Sequence, residues 1–223
     1  MPTELQFSYG QWPSSGNGVA DIEILSNVES QYNFKIRRYS RMSRRPTEIV
    51  RNDMIVASID IISTKEETTS NNNTKTVSNT RQVSINNLHL QQGSDGNVST
   101  NMVGTISSRG RGGPKFSYDA VLSFSRFSYK CKYCSSGPEG PQFEVRNGSE
   151  DATDVCAIMR DTSTPFDDKP SMSIVISDEN VDQIIILCIA ADILNERQVF
   201  GQNAKENEML DVCCECCCDC LMS

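Results

Sequence analysis

The feature that most constrains the fold is an apolar run near the carboxyl-terminal end of the chain. The run 181–194 contains only three polar residues, Asp182, Gln183 and Asp192. A helix that is apolar on every side is either buried in protein or spans a bilayer. The uninterrupted apolar part is eight residues long, whereas a membrane-spanning helix needs about 20. We therefore predict that the run forms a buried helix at about 179–197.

Polar residues just before the run predict where this helix begins. Ser177 or Asp178 is expected to cap it, because their side-chain oxygens can accept hydrogen bonds from the first unpaired backbone N–H groups. Glu179 would then lie in the first turn, and the helix would end where the chain becomes polar at 195–197.

The chain before the helix is a series of short segments in which apolar and polar residues alternate. This period of two, together with many β-branched residues, is typical of β-strands that bury one face. The predicted strands lie at 21–25, 32–37, two within 48–64 with a turn at 51–53, 82–90, 101–107, two within 115–133, 142–146, 154–160 and 171–177. The pattern indicates a mainly β domain wrapped around one helix.

Four other segments are predicted to be irregular. Residues 1–18 are expected to form an amino-terminal arm, and the Asn- and Thr-rich stretch 65–80 a flexible insertion. The Gly-rich segment 109–114 is expected to be a turn. The predicted domain is therefore 19–197, followed by a polar tether at 198–212 that spans about 20 Å and a cysteine-rich tail at 213–223.

Composition and motifs argue against a catalytic role. The net charge is −8, which does not favour nucleic acid as a partner. His89 is the single histidine, so most chemistry that depends on imidazole is excluded. The sequence has no phosphate-binding glycine loop and no nucleophile elbow. We predict no catalytic residue, no metal site and no cofactor.

The tail has the form of a lipid anchor. It contains six of the ten cysteines, and Cys220 begins a Cys-Leu-Met-Ser sequence that resembles a prenylation box with the Ser typical of farnesyl transfer. Acidic residues around it would repel an anionic membrane, so acyl chains are the expected second signal. The palmitoyl candidates are Cys213, Cys214, Cys216, Cys217 and Cys218. A thiolate metal cluster in the tail is the alternative.

The remaining cysteines are expected to be ordinary thiols. The amino-terminal sequence has no pattern of a secretory signal, so we expect a reducing compartment. Cys131 and Cys134 form a Cys-x-x-Cys at a predicted strand end, without the second pair that a zinc site needs. Cys156 and Cys188 lie on apolar faces and are predicted to be in the core.

The order of elements resembles the tubby-like, LURP-one and phospholipid-scramblase domains, most closely the small tubby-like domain of many fungal proteins of unassigned function. The residues that carry the resemblance are Phe34–Arg37, Ile55–Ile59, Phe143–Val145, Val155–Arg160, Met172–Ile176 and Val181–Ile186. The resemblance implies a closed antiparallel β-barrel around one apolar carboxyl-terminal helix. The insertion and the cysteine tail depart from the family. An acidic calcium-binding segment like that of scramblases is not found, so lipid scrambling is not carried over.

A basic run is the candidate ligand site that this resemblance suggests. Tubby domains bind phosphoinositide headgroups through basic residues of the barrel, and about 1 kcal/mol per charge is available near an anionic surface. The candidate contacts are Lys35, Arg37, Arg38, Arg41, Arg44 and Arg45. The alternative is a solvated loop with local ion pairs.

The sequence therefore predicts a non-enzymatic, lipid-anchored, tubby-like adaptor or lipid-responsive binding module. It would lie on the cytosolic face of the plasma membrane or an endomembrane, with anionic lipid headgroups and an unknown protein as partners. A scramblase-like lipid-handling protein and a metal-binding protein that uses the cysteine tail are the alternatives.

Overall fold

A computed structural model describes residues 2–8, 18–27, 33–39, 45–69, 74–90, 98–111, 117–138, 140–148, 154–161 and 171–195. Within these residues the chain forms twelve strands and one helix, α1, at 183–195. The strands are β1 Thr3–Ser8, β2 Val19–Ser26, β3 Phe34–Tyr39, β4 Thr47–Arg51, β5 Met54–Thr69, β6 Thr74–Leu90, β7 Val98–Arg111, β8 Ser117–Ser123, β9 Ser128–Gly137, β10 Gly140–Asn147, β11 Val155–Asp161 and β12 Ser171–Ile176.

The strands form a closed antiparallel β-barrel. From β2 to β12 each strand pairs with the next one along the chain, and β1 closes the barrel between β12 and β2. Closure pairs each strand with two neighbours over part of its length, whereas β5 beyond Ile59 pairs only with β6. The predicted fold class, a closed antiparallel barrel with one buried helix, is confirmed.

The predicted irregular arm at 1–18 is wrong for residues 3–8, which form β1. Leu5 and Phe7 are 1% and 2% exposed, whereas Gln6 between them is exposed. The strand pairs with β12 from Thr3 opposite Ile176 to Ser8 opposite Ser171. Only two apolar residues carry the alternation in this short strand, so pairing on both sides, rather than local pattern, decides its structure.

The predicted insertion at 65–80 is also wrong over most of its length. Strands β5 and β6 continue as a hairpin through it, from Ser63 opposite Thr80 to Thr69 opposite Thr74. Threonine is β-branched and favours strands even where few side chains are apolar. In β6, Val77 and Asn79 are buried, and Thr64 Oγ1 donates a hydrogen bond of 2.6 Å to Asn79 Oδ1.

The turn predicted at 109–114 is wrong for 109–111, because β7 extends to Arg111 and Gly110 pairs with Tyr118 of β8. Residues 112–114 lie outside the described residues. By contrast, the turn predicted within 51–53 is confirmed. Asn52 and Asp53 have φ values of 49° and 62°, as in the two-residue turns that match the twist of a hairpin.

Helix α1 fills the inside of the barrel. All residues from 184 to 194 are at most 2% exposed, and all of them except Asp192 belong to the same core cluster as the inward side chains of the strands. The predicted burial of the helix is confirmed. Within the described residues, no helix is long and apolar enough to cross a bilayer.

The predicted start of the helix is wrong by about one turn. Helix α1 begins at residue 183, and Asp182 caps it: Asp182 Oδ1 accepts a hydrogen bond of 2.8 Å from the Ile184 N–H. Asp178 instead closes a turn by accepting from the Asn180 N–H at 2.9 Å. Ser177 Oγ donates to the Val155 carbonyl at 2.8 Å. Both residues stabilise the loop between β12 and α1. This loop ends at Asp182, about one turn after the predicted start of the helix.

Candidate functional site

One end of the barrel is defined by the last described turn of α1, and we call it the exit end. There the Asn195 side-chain amide reaches Thr47 Oγ1, at the start of β4, at 3.5 Å. Because consecutive strands are antiparallel, the end of β7 and the start of β8 lie at this same end. The segment that leads to the cysteine tail leaves the described structure here.

A buried polar cluster fixes α1 near the exit end. Asp192 is 0% exposed and accepts hydrogen bonds from Arg81 Nη1 and from the Tyr118 hydroxyl. Arg81 Nη1 also lies 3.3 Å from Ser108 Oγ. Burial, and then the negative charge of Asp192, raise the pKa of Tyr118 well above its usual value, so the hydroxyl stays protonated and donates. The cluster ties the helix to β6, β7 and β8.

The basic run does not form a single cationic surface in the described residues. Arg38 is 2% exposed, and this burial argues against contact with a headgroup. Arg37 lies on the outer face but binds Asp21 through two hydrogen bonds of 2.8 and 2.9 Å. Lys35 is 3.9 Å from both Glu23 and Asp53. These contacts match the alternative of local ion pairs.

The Arg37–Asp21 pair is strong enough to shift both groups. The hydrogen bond from Arg37 lowers the pKa of Asp21, and the bond to Asp21 raises the pKa of Arg37. Arg45 is exposed and lies over the ring of Tyr39 at 5.2 Å, as in a cation–π contact. Arg41 and Arg44 lie outside the described residues. Whether any of these side chains binds lipid stays a prediction.

A different cationic surface lies on the outside of β7, β8 and β9. It is a groove of about 380 Å³, which we call the outer groove. Its exposed side chains are Ser107, Arg109, Asp119, Val121, Lys130 and Lys132, and its floor is formed by the intervening residues Ser108, Ala120 and Cys131. Three cations and one carboxylate therefore share one face of three neighbouring strands.

Sequence reasoning missed the outer groove, although a signal was present. The glycines that follow Arg109 are typical of a turn, and they conceal that Arg109 lies on a strand face. Arg109 and Arg111 are two residues apart, as are Lys130 and Lys132, and this spacing puts each basic pair on one face of a strand. Which strands are neighbours depends on the barrel pairing, which the sequence alone does not give.

The four described cysteines have the environments of ordinary thiols. Cys131, Cys156 and Cys188 are buried, as predicted for Cys156 and Cys188. Burial raises the pKa of each of these three thiols. On strand β9 the odd spacing of Cys131 and Cys134 puts their side chains on opposite faces. Among the described residues no group of three or more potential ligands is placed to hold a metal ion.

The predicted lipid-anchor residues, Cys213, Cys214, Cys216, Cys217, Cys218 and Cys220, lie outside the described residues, as does the tether at 198–212. Comparisons with family models, with curated proteins and with solved structures found no match to the chain. The resemblance to tubby-like domains therefore stays a prediction.

Proposed function

We propose that the chain is a non-enzymatic, membrane-anchored binding module of tubby-like type on the cytosolic face of a membrane. The observation that supports this most directly is the cysteine cluster that leads into Cys-Leu-Met-Ser. Prenylation requires a Cys-Leu-Met-Ser sequence at the carboxyl terminus of the translated protein, and the mass of the carboxyl-terminal peptide tests this requirement. A farnesyl group would be attached to Cys220, and palmitate to some of the five cysteines before it.

The physics of membrane attachment supports two kinds of lipid. Each buried methylene contributes about 0.8 kcal/mol, and a single short chain holds a protein only marginally. Many lipidated tails add basic residues as the second signal. Here the neighbours are acidic, with Glu215 and Asp219 inside the cluster, so charge would weaken attachment to an anionic leaflet. Palmitate is the second signal that this composition can use.

The barrel supports the binding part of the proposal. Its inside is filled by α1, so the outer surface of the strands is where a ligand or partner can bind. The exit end carries the start of the tail segment, and the outer groove lies on the barrel wall midway along β8. An anchor reached through a tether of about 20 Å would keep the barrel close to the membrane surface.

Intact-mass spectrometry of the protein from a eukaryotic host tests the anchor. We expect loss of the three residues after Cys220, with the mass of a farnesyl group and a methyl ester in their place. Cys220→Ser should make the protein cytosolic. Ser223→Leu is the matched control: it should keep membrane attachment but replace farnesyl by geranylgeranyl.

Two results would contradict the proposal. A mature chain that still ends at Ser223 without lipid mass would exclude the anchor. Stoichiometric zinc or copper binding that is lost when the tail cysteines are replaced by serine, again without lipid mass, would favour the metal-binding alternative. Replacing only Cys213, Cys214, Cys216, Cys217 and Cys218 by serine should leave the farnesyl in place but weaken membrane retention.

A further inference from the structure

Strand β5 has an open edge that extends beyond the barrel wall. Its neighbour on one side is β4, which begins at Thr47 opposite Ile59. Beyond Ile59, in the part of the chain that the structure describes, β5 pairs only with β6, as far as Thr69 opposite Thr74. Residues 60–69 therefore present one row of backbone N–H and C=O groups over about 33 Å. Such an edge is a template for pairing with a further strand.

The described neighbours leave this edge accessible. Pro46 precedes β4 and has no N–H group with which to extend the ladder along β5. The Arg45 guanidinium lies 5.2 Å from the centre of the Tyr39 ring at the end of β3, on the side of β4 away from β5. All residues from 60 to 67 are exposed, including Ile61 and Ile62 at 68% and 59%.

The charges of the edge can match those of a second copy of this chain. Lys65 and Glu67 lie on the same face of β5 and form an ion pair of 2.7 Å. The hydrogen bond from Lys65 lowers the pKa of Glu67, so both side chains are charged at neutral pH. When two copies of one strand pair antiparallel around a two-fold axis, one residue lies opposite itself, and the same face of both strands lies on one side of the shared sheet.

Among the registers whose axis lies between residues 63 and 67, only the one centred on Glu66 joins opposite charges. Lys65 is then opposite the partner's Glu67, and Glu67 is opposite the partner's Lys65. Together with the ion pair inside each copy, four charges alternate in sign around a square, and directly opposed residues are about 5 Å apart. The other registers place like charges opposite each other or join no charges.

We propose that two copies of this chain pair antiparallel through the open edges of β5, with Glu66 at the two-fold axis. The backbone ladder runs from Ser63, opposite the partner's Thr69, to Thr69, opposite the partner's Ser63. Ile62 then lies beside the end of the partner's β5–β6 hairpin, which covers part of its exposed surface. Because the contact is narrow, we expect a transient dimer rather than an obligate one. The inference goes beyond the proposed anchor and does not depend on it.

Sedimentation velocity tests the dimer on the full chain with its six tail cysteines replaced by serine, so that tail thiols cannot cross-link the copies. We expect a monomer–dimer equilibrium that shifts with concentration. Lys65→Glu should weaken the dimer about ten-fold, because like charges directly opposite each other oppose strand pairing. Adding Glu67→Lys restores the alternation of charges and should recover most of the affinity.

Two further variants make the test specific. Glu66→Gln should strengthen the dimer several-fold, because it removes two carboxylates that face each other at the axis; a purely structural role would not produce this gain. Lys130→Glu is the matched control. It makes the same charge change on an exposed lysine of β9, a strand that is paired on both sides, and it should leave the equilibrium unchanged.

Cross-linking tests the register. In the same chain with Cys134→Ser, Glu66→Cys places two thiols opposite each other, where Cα atoms about 4.5–5.5 Å apart suit a disulfide. A mild oxidant such as diamide should therefore link two copies of this variant. Ser63→Cys is the matched control, because residue 63 lies about 20 Å along the strand from its own counterpart. It should link much more slowly.

Three outcomes would overturn the inference. The first is a chain that stays monomeric at every concentration. The second is a dimer that Lys65→Glu and Lys130→Glu weaken equally, which would show a general effect of net charge. The third is cross-linking of Ser63→Cys as fast as that of Glu66→Cys, which would exclude the axis at Glu66. Because the tested chain carries no lipid, a failed anchor would not affect any of these results.

Discussion

At the scale of single residues, the Arg81–Asp192 pair shows how a charge can be kept inside the barrel. Both side chains are at most 3% exposed, and they are joined across 111 positions of the chain. Asp192→Asn keeps the shape but removes the charge that compensates Arg81. We expect the free energy of unfolding to fall by about 3–5 kcal/mol, as measured by urea denaturation.

The exposed Arg37–Asp21 pair provides the matched control. It joins the same residue types on the outer face, where solvent screens the charges. Asp21→Asn should cost at most about 1 kcal/mol. The pKa of Asp21 is lowered in the folded state, so its contribution is present above the unfolded pKa of 3.8 and is lost as the pH falls through the folded value. Equal losses at both sites would contradict the role assigned to Asp192.

Gly104 makes a second prediction at this scale. A β-carbon at this position would lie 2.6 Å from the Phe124 ring and 2.6 Å from the Ser123 carbonyl oxygen. The second contact is with backbone, which cannot rotate away. Gly104→Ala should therefore destabilise the protein by about 1–3 kcal/mol in thermal or urea denaturation. Adding Phe124→Leu should restore only part of the loss, and full recovery would show that the ring alone is responsible.

At the scale of elements, substitutions of the capping residue test whether α1 begins at the observed residue 183 or at the predicted residue 179. Asp182→Ala removes the acceptor of the Ile184 N–H and should cost about 1 kcal/mol. Asp182→Asn should retain most of the stability, because asparagine caps about as well. Asp178→Ala tests one of the two caps that the sequence predicts, Ser177 or Asp178. A larger loss for Asp178→Ala than for Asp182→Ala would place the functional cap in the preceding turn.

The role of β1 in closing the barrel can be tested by substituting one buried and one exposed residue of this strand. Phe7→Ala removes a side chain that is 2% exposed and should cost about 3–5 kcal/mol, whereas Gln6→Ala on the outer face should be nearly neutral. Loss of pairing by β1 would expose the edges of β2 and β12, so we also expect Phe7→Ala to aggregate more readily on heating. Light scattering measures this, and equal behaviour of the two variants would argue against closure by β1.

The same elements show what the sequence could and could not predict. The central strands and α1 were predictable because their apolar residues recur with a clear period. Strand β1 and the β5–β6 hairpin were not, since their pairing is set by neighbours far along the chain rather than by their own composition. Arg81 and the outer groove were missed for the same reason: the partners of each lie on strands that only barrel closure brings together.

At the scale of the whole molecule, we expect the folded barrel to shield its three buried thiols from chemical reagents until the whole barrel unfolds. Replacing the six tail cysteines by serine leaves Cys131, Cys134, Cys156 and Cys188. Three of these are buried, with pKa values raised by burial, so both access and thiolate formation are suppressed. Reaction with a thiol reagent should therefore show one faster phase from Cys134.

The other three thiols should react only as the barrel opens. Their rate should rise with urea in parallel with unfolding measured by fluorescence, because α1 and the surrounding strands share one core. Cys134→Ser should remove the faster phase and leave the slow one unchanged. If Cys188 on α1 reacted well before Cys131 and Cys156, the helix would leave the barrel without global unfolding. The barrel and α1 would then be separate units of stability, and the Asp192 cluster would not hold them together.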